Sequence, residues 1–93
     1  MEKLDDFREK IDKIDENLIQ LLGERFSICL KIAEYKKKQQ IPMMQTNRVQ
    51  QVKDRCCEIG RRCSIDEKFV NDLYSLIIEE ACRLEDEIID FDK

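Results

Sequence analysis

The chain has 93 residues, a formal net charge of −4 and charged side chains at 41% of its positions. No basic tail or stripe stands out, and the longest basic run, Lys36–Lys38, reads as a solvated helix end, so nucleic acid is not the expected partner. No apolar stretch approaches the roughly 18 residues of a membrane span, and the N-terminus MEKLDDFREK lacks the apolar segment of a signal peptide, so a cytoplasmic protein without membrane contact is expected.

Two Gly and one Pro leave little material for turns, and the wealth of Leu, Ile, Glu, Lys and Asp suits long helices with solvated faces. The apolar share of 42% is enough for a thin core in one domain covering residues 1–93. The five cysteines, Cys29, Cys56, Cys57, Cys63 and Cys82, are odd in number. They form no C-x-x-C pair, and the chain has no His, so no metal site is expected. Cys56 and Cys63 stand seven apart on one helical face and read as small core residues.

The first element is long. At about 100° per residue, Leu4, Phe7, Ile11, Ile14, Leu18, Leu22, Cys29 and Ile32 fall within about 40° of one direction. Gly23 is tolerated inside this stripe at a cost of roughly 1 kcal/mol. The run ends at QQIP, because Pro42 disfavours a helical backbone at Ile41. A second, shorter stripe holds Val49, Val52, Cys56 and Ile59, with Thr46 as the expected N-cap and Gly60 as the expected C-cap. Ser64 with Glu67 has the spacing of a capping box and opens a third helix. Val70, Leu73, Tyr74, Ile77, Ala81, Leu84 and Ile88 form its apolar face, and Asp90 to Lys93 read as a frayed end. Strand alternation and internal repeats are absent. The expected fold is all-α, with three helices ordered long, short, long.

A helix of about 36 residues spans roughly 54 Å, whereas a compact chain of this size has a diameter of only about 32 Å. The first helix overshoots its own domain, and a second copy is the simplest cover for its stripe. An interlocked helical homodimer is therefore expected.

Arg25 and Lys36 disturb this picture. They stand eleven residues apart, so they differ by only about 20° and sit near the centre of the first helix's apolar stripe. One reading is structural: long cationic side chains reach out to water, or pair with Glu85 at the edge of the third helix's apolar face. The other is functional. An unpaired buried charge costs several kcal/mol, so a charge kept there has a partner. Arg48 lies at the margin of the second stripe, about 20° from Ile59. Three inward-leaning cations thus face one acid, which suits a small ligand with two anionic groups. Arginine forks match carboxylates, which points to a dicarboxylate. A non-catalytic dimerisation module would instead want Leu or Ile at positions 25 and 36.

The stretch LDDFREKIDKIDENLIQLLGERFSICLKIAEYK resembles the first helix of the all-helical chorismate mutases. Their pattern is L-x-x-x-R-x-x-I-D-x-I-D-x-x-L-(I/L)-x-L-L-x-x-R, with a lysine eleven residues further on. Leu4, Arg8, Ile11, Asp12, Ile14, Asp15, Leu18, Leu21, Leu22, Arg25 and Lys36 match it, and the likeness continues through Pro42, Arg48, Gly60, Phe69 and the segment LIIEEA. The resemblance implies three helices per chain, two interlocked chains and one active site in each half. It implies the pericyclic conversion of chorismate to prephenate with no cofactor and no covalent intermediate. By the same resemblance, Arg25 and Arg48 clamp substrate carboxylates, Lys36 donates to the ether oxygen of the breaking C–O bond, and Arg8 enters the partner chain's site. Arg8 lies about 100° from Arg25, so one straight helix cannot aim both at one point.

Four positions depart from the family pattern. Glu85 stands where familiar members carry a Gln whose amide bonds the ether oxygen, so Glu85 must be protonated to assist. Val49 replaces a Glu that binds the ring hydroxyl, Gln45 replaces an Asp of the same neighbourhood, and Ala81 replaces a Ser. The ring-hydroxyl end of the site is thus less polar than in those relatives. Isochorismate-pyruvate lyases of this fold also carry Val there, so that reaction and a mutase of amino-substituted chorismate stand as alternatives. The Gln shared by lyases and familiar mutases sets Glu85 against the lyase.

Overall fold

The computed structural model describes residues 2–42 and 46–91, all in three helices and the turns between them. Helix α1 runs from Glu2 to Gln39, α2 from Thr46 to Arg62 and α3 from Glu67 to Phe91. The expected order of long, short, long is the observed one. α3 continues through Asp90 to Phe91, past the expected start of a frayed end.

α1 ends as its sequence requires. Gln40 takes a left-handed φ of 56°. Its N–H reaches the Lys37 carbonyl at 3.3 Å, and the Ile41 N–H reaches the Lys36 carbonyl at 2.8 Å. This pair of bonds closes the last carbonyls in a Schellman arrangement, and Pro42 follows immediately. α2 ends in the same way but not at the expected residue. Ser64 carries the left-handed φ of 61°, while no glycine has a positive φ. The Ser64 N–H bonds the Arg61 carbonyl at 3.2 Å and the Ile65 N–H bonds the Gly60 carbonyl at 2.8 Å.

Gly60 is therefore inside α2, not its C-cap. Its role is steric. A Cβ placed there would stand 2.8 Å from Val70 Cγ2, so the missing side chain is what lets α2 lie against α3. Ser64 is likewise not the N-cap of α3. Asp66 is: its Oδ2 accepts the Phe69 N–H at 3.0 Å, satisfying a donor that the helix itself leaves open. The expectation that Cys56 and Cys63 are both core residues fails for Cys63, which is exposed in the turn, while Cys56 is half-buried. Cys57 is the buried thiol, donating to the Glu67 carbonyl at 3.8 Å. The capping expectation for Thr46 concerns a side chain outside those described.

α3 is the central helix. It packs against both α1 and α2, and among the described residues α1 and α2 do not pack against each other. It runs in the same direction as α1: Arg25 lies by Tyr74, and twelve residues further along α1 and fourteen along α3 Lys37 Nζ reaches the Ile88 carbonyl at 3.5 Å. α2, which lies between them in the chain, packs antiparallel on α3. The buried apolar residues are small or branched: Ala33, Cys57, Val70, Ile77 and Ala81. Small side chains let the helix axes approach, and the splay of α1 from α2 leaves a cleft over α3.

Among the described residues, nothing covers the N-terminal half of α1. Every described side chain from 3 to 21 is exposed, including Leu4, Phe7, Ile11, Ile14 and Leu18, with Ile14 at 63%. The chain extends 57 Å along its long axis, with a radius of gyration of 16.9 Å. A compact chain of 93 residues would have about 12 Å.

Candidate functional site

The cleft between α1, α2 and α3 forms a cavity of about 430 Å³, within the range of small-molecule sites. Its walls bring together six of the eight residues singled out in the sequence: Arg25, Lys36, Arg48, Val49, Ala81 and Glu85. Arg25 and Lys36 come from α1, Arg48 and Val49 from the first turn of α2, and Ala81 and Glu85 from α3. Eleven-residue spacing aligns Arg25 with Lys36 along α1, and the same spacing aligns Tyr74 with Glu85 along α3. Arg8 is elsewhere, exposed on the uncovered half of α1. Gln45 lies outside the described residues. The remaining wall is Ile28, Cys29, Ile32, Val52, Ile78 and Cys82.

Charge in this space is lopsided. Three cations face one carboxyl group, and the other lining side chains are aliphatic or thiol. Burial pushes the Glu85 carboxyl above its ordinary range, and the charges of Lys36 and Arg25 only partly offset this, while Asp86 adds to it. The protonated form of Glu85 is thereby favoured relative to a solvated glutamate. The Cys29 and Cys82 thiols are also raised, first by burial, and are held as neutral groups.

Arg25 has two neighbours that fix its direction. Its Nη1 lies 3.8 Å from the Cys29 Sγ, and its guanidinium carbon lies 5.8 Å from the centroid of the Tyr74 ring. Tyr74 had the look of one more apolar-stripe residue. The signal that singles it out is its position eleven residues before Glu85, in register with Arg25 and Lys36.

Residues 7–86 match the family model described as chorismate mutase type II. The chain belongs to the type II chorismate mutase family. Its enzyme class is that of an isomerase. The chain is 43% identical over 86 residues to a 4-amino-4-deoxychorismate mutase of Streptomyces pristinaespiralis, covering 92% of this chain and 67% of that one. It is 38% identical over 84 residues to the protein of the same description from Streptomyces venezuelae, covering 90% and 82%. A chorismate mutase of Methanocaldococcus jannaschii is 29% identical over 90 residues, covering 97% and 91%.

In this mutase-family chain, the cavity can hold a dianion and can donate to it from three sides. Aside from the Glu85 carboxyl, the described lining side chains offer no oxygen acceptor. A ring hydroxyl or amine placed against Val49 would meet hydrocarbon.

Proposed function

We propose that the protein catalyses the rearrangement of chorismate to prephenate as an interlocked homodimer, in the cytoplasm. The observation that carries this is the gathering of Arg25, Lys36 and Arg48 around one cavity with a single, proton-favouring carboxyl group. In the reaction the ether C–O bond breaks as a C–C bond forms between the enolpyruvyl carbon and the ring. No proton or electron leaves the substrate. The enzyme must therefore fold the enolpyruvyl arm over the ring and stabilise the charge that develops. Arg25 and Arg48 clamp the two carboxylates, which otherwise repel, and hold the folded form. Lys36 and protonated Glu85 donate to the ether oxygen, whose negative charge grows in the transition state.

The homodimer reading is supported by surface area. The chain exposes 7825 Å², against about 5,700 Å² expected for a compact monomer of 11.2 kDa. The excess of roughly 2,100 Å² per chain is of the size that permanent dimers bury. Arg8 stands on this uncovered surface and would reach the partner's cavity. The described cysteines are free, in keeping with a reducing cytoplasm.

A second reading, rearrangement of 4-amino-4-deoxychorismate, is favoured by the two Streptomyces relatives of that description. The deciding experiment offers the purified protein chorismate, its 4-amino analogue and isochorismate separately, with products identified by mass spectrometry. Prephenate from chorismate at the highest kcat/KM is the expected result. Preference for the amino analogue would establish the second reading. Salicylate and pyruvate from isochorismate alone would replace both with the lyase.

A further inference from the structure

Arg25 stands on a helix that is bare over half its length, and its side chain has four rotatable bonds. Something must hold its guanidinium over the cavity before a ligand arrives. Among the described residues its own helix supplies the Cys29 thiol, one turn on, at 3.8 Å from Nη1, and sulfur is a weak acceptor. The stronger neighbour comes from α3, where the face of the Tyr74 ring lies 5.8 Å from the guanidinium carbon. Tyr74 is itself half-buried and does not line the cavity. The neighbouring Cys56 thiol of α2, together with burial, raises its phenol, which stays neutral. The ring thus belongs to α3, stands beside α2 and lies under a cation of α1.

We propose that Tyr74 is a positioning residue, a rigid aromatic platform that orients Arg25 for the substrate carboxylate. The arrangement suits this task physically. A carboxylate partner for Arg25 would neutralise it and compete with the substrate for its N–H groups. An aromatic face attracts the cation through the ring quadrupole and leaves all five N–H donors available in the guanidinium plane. Planar guanidinium and planar ring also fix an orientation that an ammonium on a flexible stem would not hold. Without the platform, Arg25 must be ordered by the substrate itself, and that ordering cost appears as weaker binding.

The kinetic part of the test rests on the mutase reading, and the spectroscopic part does not. In the NMR spectrum of the wild-type protein, Arg25 Hε and Hδ are expected upfield of free arginine, with nuclear Overhauser contacts to the Tyr74 ring protons. Their absence overturns the proposal whatever the reaction proves to be. In kinetics, Tyr74→Leu is expected to lower kcat/KM about five- to tenfold, the size of one partly desolvated cation–π contact. The loss should appear in KM, with kcat within about twofold of wild type, because a carboxylate clamp binds ground and transition states alike. Tyr74→Phe retains the ring face and should restore KM to within about twofold of wild type. Equal losses for Phe and Leu, a loss in kcat alone, or no change in Tyr74→Leu would each overturn it. If Tyr74→Leu does not fold, the wild-type contacts and the Phe variant still decide. A wild-type protein inactive on every substrate would remove the mutase reading and leave the Arg25 spectrum to judge the platform.

Discussion

The two halves of α1 carry one continuous apolar stripe but have opposite surroundings. From Arg25 to Lys37 the helix lies on α3, with Ala33 wholly buried and the cations turned into a cavity. From Leu4 to Leu21 the same stripe faces water. The covered half departs from an ideal apolar stripe by admitting Arg25 and Lys36, and the bare half keeps the stripe without such a cation. A helix that spent its apolar face only on its own chain would show the reverse: charges where it protrudes, hydrocarbon where it packs. The pattern makes sense if the bare half packs as tightly as a core against a second chain while the covered half trades packing for a ligand.

The largest expected effect comes from breaking the bare half. Ile14 and Leu18 lie 63% and 53% exposed, one turn apart on the stripe. Burying such a side chain contributes about 1.5–3 kcal/mol, and a symmetric dimer counts each residue twice. On the proposed dimer, the double variant Ile14→Glu, Leu18→Glu is expected to elute at monomer mass and to lose at least 100-fold in kcat/KM, because Arg8 would then have no second cavity within reach. Arg8→Ala sharpens the comparison: it should remain a dimer yet lose comparable activity. Size-exclusion chromatography with light scattering reads the first property and turnover the second. An unchanged elution volume with full turnover in the double variant would leave the bare stripe without the role assigned to it.

The contrast between the halves was visible in the sequence only in part. The stripe's period and the stop at Pro42 defined α1, because both act through local geometry. Helical spacing turned Arg25, Lys36, Arg48 and Glu85 inward, whereas Val49 and Ala81 were singled out only by the family resemblance, and all six line one cavity. Helix ends were less legible. Gly60 has the composition of a C-cap, but its missing Cβ serves the approach of Val70, and Ser64 accepts the left-handed turn instead. Asp66 rather than Ser64 caps α3, a choice that depends on where that turn falls. Cys63 shares a helical angle with Cys56, yet the helix ends one residue before it. Tyr74 was hidden for a different reason: its use depends on the register between α3 and α1, which no single-helix periodicity contains.

A smaller effect belongs to the covered half alone. Glu85 is raised by burial, with Lys36 and Arg25 of α1 pulling the other way and Asp86 of its own helix pushing further up; Arg48 of α2 also lines the space. A raised carboxyl favours folding in its protonated form, so its contribution is fully present below the unfolded value and is lost as pH rises through the folded value. Activity that needs the proton falls over the same upper window. A bound dianion adds negative charge and extends that window upward. Glu85→Gln supplies an amide donor that does not titrate. It should flatten the pH–rate profile and match or exceed the wild type on the alkaline side, roughly tenfold at one pH unit above the wild-type midpoint if donation is required. A wild-type profile of kcat/KM that already lacks this descent, or a Gln variant that retains it, would remove Glu85 from the chemistry. The mass in solution by light scattering should be the same for both proteins, which separates the cavity beside the covered half of α1 from the bare half.

The smallest effect tests the seam on which the covered half depends. α3 can support Arg25 and Lys36 only because α2 holds it from the other side, and Gly60 sets that distance. Gly60→Ala gains about 1 kcal/mol from helix propensity, but its Cβ would meet Val70 Cγ2 at 2.8 Å. Val70 is buried and branched, so its stiff χ1 leaves it little room to move. Overpacking of this kind costs about 1–3 kcal/mol, and the two terms leave a net loss of about 1 kcal/mol. Urea denaturation should show a lower midpoint at an unchanged slope. Val70→Ala in the same chain should recover part of the Gly60→Ala deficit, because it vacates the space the new methyl needs, whereas on its own it should destabilise by opening a cavity. Additive losses in the double variant would mean that the two residues do not meet, and that the spacing of α2 from α3 is set elsewhere.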